Sequence, residues 1–324
     1  MANTSVRGRA RQRLRRSRFG RTGWARWVIR QTGPRRSAAA AVKAGAVTAG
    51  GAGAPPAPNR IDLITASLEL AGLGLEIGPS HNPILPKRDG YNVRVVDHLE
   101  TSRLIAKYQQ LGVDTAKVED VDYVVEGERL SDVIDASFDY IVASHVMEHT
   151  PCLISFLQDC SSLLEPGGSL SLALPDKRYC FDHFRERSSL GRVIDTYERE
   201  VLIHSPGSVA DFAMNAVNRD QQITWSRGCD VPFSRIHDLD GVRAMMAVAG
   251  AGTYVDIHNW VLTPYHTRLL LDDLYHLGYI DLRERSFHDT VGFEFFLTLS
   301  KAGPGPDLSR AELSERAYAE LAAG

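Results

Sequence analysis

Short apolar runs, each closed by a glycine or a polar residue, recur along residues 73–174 with amphipathic stretches between them. Leu73–Ile77 stops at Gly78-Pro79, Val93–Val96 at Asp97, Phe138–Ala143 at Ser144 and Ser169–Leu174 at Pro175-Asp176. Tyr123–Val125 offers a shorter third strand. Helical spacing marks Ile61–Leu70, Ser102–Leu111 and Leu153–Leu164, the last ended by Pro166-Gly167-Gly168. Runs this short are buried strands, and their alternation with helices predicts βαβ units and a parallel sheet. Right-handed crossovers then place helices on both faces, and ligands meet such sheets at the strands' carboxyl ends. Gly78, Asp97, Ser144 and Asp176 therefore line one expected crevice.

The rhythm breaks after Lys177. Helical pattern returns around Leu190–Leu202 and Asp240–Val248, joined by polar stretches, which predicts a cap over about residues 177–262. Thr263–Leu277 reads as a helix, and Tyr279–Ser286 with Phe293–Ser300 as two closing strands turned near Gly292. The predicted body spans residues 59–302. Residues 303–324 read as a tail with a loose helix from Ser309.

Residues 1–58 are different in kind. The first sixty residues hold 14 Lys and Arg and no Asp or Glu, so the other 23 basic residues face all 40 acidic ones. A basic leader rich in Ala, Gly and Pro cannot bury a core and is expected to be disordered. Arg15-Arg16 suggests a twin-arginine export signal, but Phe19 is displaced and no firm apolar stretch follows. A basic arm for nucleic acid or anionic lipid is the other reading, against which the acidic body argues. Cys152, Cys160, Cys180 and Cys229 show no CxxC spacing, which favours reduced thiols and the cytoplasm. No apolar run is long enough for a transmembrane helix.

Chemistry concentrates at the strand ends. Glycine at 78 permits close backbone approach of a ligand, and Asp97 at the second strand's end suits two ribose hydroxyls. The G-x-G-x-x-G phosphate fingerprint is absent, which counts against NAD or FAD. The ordered set LEIGPS (75–80), VVDH (95–98), SFDYIVASHVMEHT (137–150) and LLEPGGSLSLALPD (163–176) resembles the class I S-adenosylmethionine-dependent methyltransferases. That resemblance implies a Rossmann-like α/β fold: a seven-stranded, mostly parallel sheet with an antiparallel closing hairpin. It implies S-adenosylmethionine as cofactor, with Glu76, Gly78, Pro79 and Ser80 at its methionine end. Asp97 and His98 would meet the ribose and Glu126 the adenine, and Ser144 and His145 would also bind the cofactor. In place of the family's further loop glycines stand Pro79, Ser80 and His81-Asn82-Pro83.

His145, Glu148 and His149 would share one face if helical. H-x-x-E-H matches an inverted zinc-protease motif, which the βαβ context disfavours. It is closer to the E-x-x-E-H of ubiquinone-biosynthesis O-methyltransferases and small-RNA terminal ribose methyltransferases. By that resemblance Glu148 and His149, with a distant histidine matched by His258, would hold a divalent metal; otherwise they only shape the pocket. His183 and His258 are the candidate bases. His183 is oriented by Asp182 or another carboxylate, or else sits on a surface helix whose aromatic residues pack inward. Asn218–Gln222, Trp225–Arg227 and His237-Asp238 suit a polyol or sugar, or an ordinary loop. The expected reaction is O-methylation of a small molecule or carbohydrate. The alternatives are a NAD-dependent oxidoreductase on a similar sheet and a non-catalytic binding protein.

Overall fold

In the computed structural model, residues 59–322 are described. The expectations for the basic leader lie outside the described residues. Four strands supply the first half of the sheet: β1 (Gly74–Ile77), β2 (Val93–Asp97), β3 (Tyr123–Val124) and β4 (Phe138–Ser144). All four residues of β1 are buried, as expected of a parallel strand covered on both faces. β5 (Leu164–Pro175), β8 (Arg283–Val291) and β9 (Glu294–Ser300) complete it. The order is β3-β2-β1-β4-β5-β9-β8, with β1 through β5 parallel, β9 antiparallel to β5, and β8 antiparallel to β9. β1 lies between β2 and β4, so the chain reverses its direction of travel across the sheet at β1 and β4. That switch point opens a crevice at their carboxyl ends.

Period-two alternation splits the core. Ile141 and Ala143 face the helix α4 (Leu153–Leu163), which contributes Leu153, Ile154, Leu157 and Cys160 to the same cluster. Tyr140 and Val142 face the other side, against Leu63 and Ile64 of α1 (Arg60–Thr65) and against Ile84 and Leu85. Gly74 is a packing requirement here. A Cβ on it would lie 2.0 Å from the Tyr140 ring.

Several boundaries differ from the sequence reading. The helix expected over 61–70 ends at Thr65, while α2 (Thr101–Gln110) and α3 (Leu130–Val133) lie along the β2–β4 crossovers. β5 begins at Leu164, before the expected stop, because Pro166-Gly167-Gly168 runs into the strand as an irregularity opposite Phe138 and Tyr140. β8 starts at Arg283 rather than Tyr279. It is an edge strand with one face open, so its polar residues disguise it. The cap contains α5 (Leu190–Glu198), α6 (Pro206–Asn215), the hairpin of β6 (Val217–Arg219) and β7 (Phe233–Arg235), and α7 (Leu239–Gly250). α6 was missed although Ser205 and Pro206 stand at its N-cap and first position. After α8 (Pro264–His276), the supposed tail carries an ordered helix, α9 (Arg310–Ala322), packed on α8. Among the described residues, no helix is long and apolar enough to cross a membrane.

Candidate functional site

Gly78 follows β1 with φ +62, and Ser80 two residues on has φ 55. The loop therefore turns sharply without the further glycines expected there, helped by the amide of Asn82 donating to the Pro79 carbonyl at 3.0 Å. Ser80 N donates to Asp97 Oδ2 at 3.2 Å, which ties the ends of β1 and β2 together. Asp97 is buried, and its Oδ1 takes His98 N at 2.7 Å and His98 Nδ1 at 2.6 Å. Lys107 Nζ lies 3.0 Å from His98 Nε2. That contact favours the tautomer with the His98 proton on Nδ1, facing the carboxylate. Oδ2 of Asp97 keeps lone-pair capacity for a ligand hydroxyl.

Glu76 does something other than what was expected of it. Its carboxylate is buried, with Oε1 accepting the Ile84 amide at 2.6 Å and Oε2 the Leu85 amide at 3.1 Å. Burial pushes its pKa up to about 7, against the lowering effect of the two amides and Arg60. This carboxylate holds the loop after β1 in place rather than being aimed into the crevice. Glu126 stands apart, exposed beyond β3, with its amide donating to Glu128 at 2.9 Å.

Ser144 and His145 close β4. His145 has φ 53, a conformation non-glycine residues seldom adopt. The expected helical face does not form: Met147–His149 is a single 3-10 turn. Pro151 holds Thr150 extended and stops it. The turn is not the helix that a zinc-protease motif requires. Even so, His145 Nδ1 lies 3.1 Å from Glu148 Oε1, and its Nε2 lies 2.9 Å from Glu294 Oε1. Burial alone would lower the His145 pKa, but these two carboxylates outweigh it and hold the imidazole at about 9.

Arg60, at the first position of α1, was not anticipated. Its Nε donates to Glu294 Oε2 at 2.6 Å and its Nη2 to Ser144 Oγ at 2.5 Å. A capping box between Asn59 and Asp62 fixes the start of α1 and thereby aims this guanidinium at the end of β4. That N-x-x-D pattern was the available signal.

The distant histidine does arrive. The Glu148 carbonyl accepts both Asn259 N at 2.7 Å and Trp260 N at 3.0 Å, clamping the 256–260 segment on the 3-10 turn. His149 and His258 then meet edge to face, ring centroids 4.6 Å apart. One ligand atom from each of Glu148, His149 and His258 lies within 4.8 Å of the other two. Glu148 is fully buried, and its Oε2 has no hydrogen-bond partner. An orphaned buried carboxylate oxygen beside two imidazoles fits a divalent cation, because such an atom is costly when left unpaired. His258 Nδ1 pairs with Asp182 Oδ2 at 2.5 Å, and Asp182 also takes the Arg185 guanidinium at 2.7 Å. Burial would raise the Asp182 pKa, but His258 and Arg185 bring it down to about 2.

His183 belongs to another cluster. It stacks on Phe233 at 4.7 Å and lies against Phe184 and Trp225, with Nδ1 3.0 Å from the Arg178 carbonyl. Asp182, its expected partner, serves His258 instead. Burial lowers the His183 pKa, so this imidazole is neutral at pH 7. Of the polar cap residues, Arg219 covers the Phe233 ring at 3.9 Å and Trp225 Nε1 donates to the Arg178 carbonyl at 3.2 Å.

Residues 54–213 match the family model described as a methyltransferase domain. The ubiquinone biosynthesis O-methyltransferase of Xanthomonas euvesicatoria pv. vesicatoria (strain 85-10) is 31% identical over 122 residues. That alignment covers 36% of this chain and 48% of the relative, so the chain spans about half the length of the curated relative it matches. The glycopeptide N-methyltransferase MtfA complexed with S-adenosylmethionine aligns over 73% of this chain and 90% of its own, at 16% identity and TM-score 0.35. The DhpI-SAM-HEP complex aligns over 74% and 83%, at 14% identity and TM-score 0.36.

Proposed function

We propose that this chain, which belongs to the class I S-adenosylmethionine-dependent methyltransferases, methylates an oxygen of a polar small molecule or carbohydrate. One observation carries the reading. At the switch point of the sheet, the loop of Gly78 to Ser80, the buried carboxylate of Asp97 and the Ser144–His145 corner converge beside a Glu–His–His cluster of which Glu148 and His258 are buried. The first group suits a nucleoside carrying an amino-acid tail; the second suits an acceptor hydroxyl.

Asp97 Oδ2 would take the ribose hydroxyls, and the Gly78–Ser80 backbone would lie against the methionine end. Arg60 offers a cation there for the methionine carboxylate, in exchange for Glu294. The reactive electrophile belongs to the cofactor, so the protein's task is to hold the two partners in line. Among the chain's bases, His183 has the right protonation state at pH 7. With Nδ1–H donating to the Arg178 carbonyl, its lone pair sits on Nε2 and can accept the hydroxyl proton. A divalent ion held by Glu148, His149 and His258 would lower the hydroxyl's pKa when bound. His258 would then be a ligand and not a base. The oxygen target draws further support from the resemblance to a ubiquinone-biosynthesis O-methyltransferase.

Calorimetric titration with S-adenosylmethionine tests the reading. Wild type is expected to bind in the micromolar range, and Asp97→Ala to weaken binding at least tenfold. Folded wild type that binds NAD but not S-adenosylmethionine would replace the reading with the oxidoreductase one. Cofactor binding with no methyl transfer to any hydroxylated acceptor would favour a non-catalytic protein.

A further inference from the structure

The Glu148, His149 and His258 cluster is more ordered than a chance meeting of polar groups. Each histidine spends Nδ1 on a carboxylate: His149 on Asp256 Oδ1 at 2.9 Å and His258 on Asp182 Oδ2 at 2.5 Å. Each thereby presents Nε2 as its lone-pair nitrogen, and His258 Nε2 lies 3.9 Å from Glu148 Oε1. Carboxylates behind metal-binding histidines fix the tautomer and the ring angle in this way. Both partners are themselves held. Asp182 is anchored by the buried Arg185, which also binds the His258 carbonyl at 2.7 Å, and Asp256 is approached by Tyr254 Oη at 3.4 Å.

His145 stands where an acidic ligand stands in the E-x-x-E-H motif, yet it is no ligand here. Both its nitrogens are engaged, by Glu148 Oε1 and Glu294 Oε1. It thereby draws one oxygen of Glu148 aside and leaves Oε2 as the single open carboxylate atom. The resulting donor set is two imidazole nitrogens and one carboxylate oxygen.

We infer that this chain holds a nitrogen-preferring divalent transition ion of the zinc and cobalt class, not magnesium, with Asp182 and Asp256 as positioning residues for the ligating histidines. Two imidazoles with one carboxylate suit zinc or cobalt, and the set leaves a coordination position open to an acceptor oxygen. Magnesium prefers six oxygens in octahedral array and keeps most of its water. The inference deepens the proposed function and rests on it only for what the ion would do.

Chelator-treated full-length protein is titrated with Co²⁺, read by its visible absorption, and then challenged with Mg²⁺ and Zn²⁺. One Co²⁺ per chain is expected, displaced by stoichiometric Zn²⁺ and unaffected by a hundredfold excess of Mg²⁺. Asp256→Asn, whose side chain is partly exposed and so tolerant of change, is expected to weaken Co²⁺ binding about 10–100-fold. Glu148→Gln is expected to abolish the absorption, with circular dichroism verifying the fold. Absence of Co²⁺ bands in folded wild type, displacement by Mg²⁺, or wild-type affinity in Asp256→Asn each overturns the inference. Calorimetry with S-adenosylmethionine on the same sample separates the two ideas. Cofactor binding without Co²⁺ binding sinks the ion alone, and Co²⁺ binding without cofactor binding sinks the methyltransferase reading.

Discussion

Glu76, expected from the sequence to meet the cofactor, is engaged in the structure by backbone amides. The sequence places an acid two residues before a turning glycine, and the simplest use for it is a ligand ammonium. The structure instead turns it toward the Ile84 and Leu85 amides. Nothing in the local pattern distinguishes these, because the amides come from a loop whose path depends on Gly78 and Ser80 having positive φ. The burial has a measurable consequence. A folded-state pKa of about 7, raised from 4.5, means the native protein binds more protons than the unfolded chain between those pH values. The advantage of the protonated form is complete below pH 4.5 and lost as pH rises through 7. Glu76→Gln cannot titrate, so wild type should lose stability relative to it by on the order of 3 kcal/mol between pH 4.5 and 8. Urea unfolding at the two pH values checks this. Parallel behaviour of the two proteins would mean that Glu76 is not buried as a proton-binding group.

At the scale of elements, legibility followed burial. β1 and β9 are buried throughout, and β2 and β4 nearly so apart from Arg94 and Asp139, so each stands out as a largely apolar run in the sequence. β8 lies at the sheet edge, so its position is displaced from the sequence reading, whereas the helix expected from Ser309 is present as α9 despite its mostly exposed surface. Both α9 and α8 depend on a contact invisible to local pattern. Thr263 begins α8 without a side-chain cap of its own. Glu320 of α9 supplies one from outside, accepting Thr263 Oγ1 at 2.5 Å, Tyr265 N at 2.9 Å and His266 N at 3.3 Å. A carboxylate there satisfies free amides and opposes the positive end of the helix. Glu320→Ala should cost about 1–2 kcal/mol, the size of a lost cap. Differential scanning calorimetry would show it. An unchanged melting curve would make the α8–α9 contact apolar packing alone, through Leu313 and Ala317.

For the whole molecule, the site is split between segments that sequence separates widely. Arg60, Asp97, Ser144 and Glu294 lie toward one edge of the sheet because the strand order puts β2, β1, β4, β5 and β9 side by side. The strand-end positions of β1, β2 and β4 are legible in the sequence because each apolar run stops at them. Arg60, Asp256 and Glu294 are not, since their roles come from long-range placement. A ligand that bridges these segments must favour the folded state as a whole. With ligand at a hundred times its dissociation constant, the expected gain is about 2.7 kcal/mol. In a domain of this size that corresponds to a rise in melting temperature of roughly 5–10 °C. S-adenosylmethionine should produce that rise, and NAD should not, because the loop after β1 lacks the glycine turn that admits a pyrophosphate to a helix N-terminus. Arg60→Ala should shrink the rise, measured from the melting temperature of the free variant, by loosening one wall of the crevice. A full rise in Arg60→Ala would confine the cofactor to the β1 and β2 ends and remove α1 from the site; a rise with NAD alone would give the crevice to a dinucleotide.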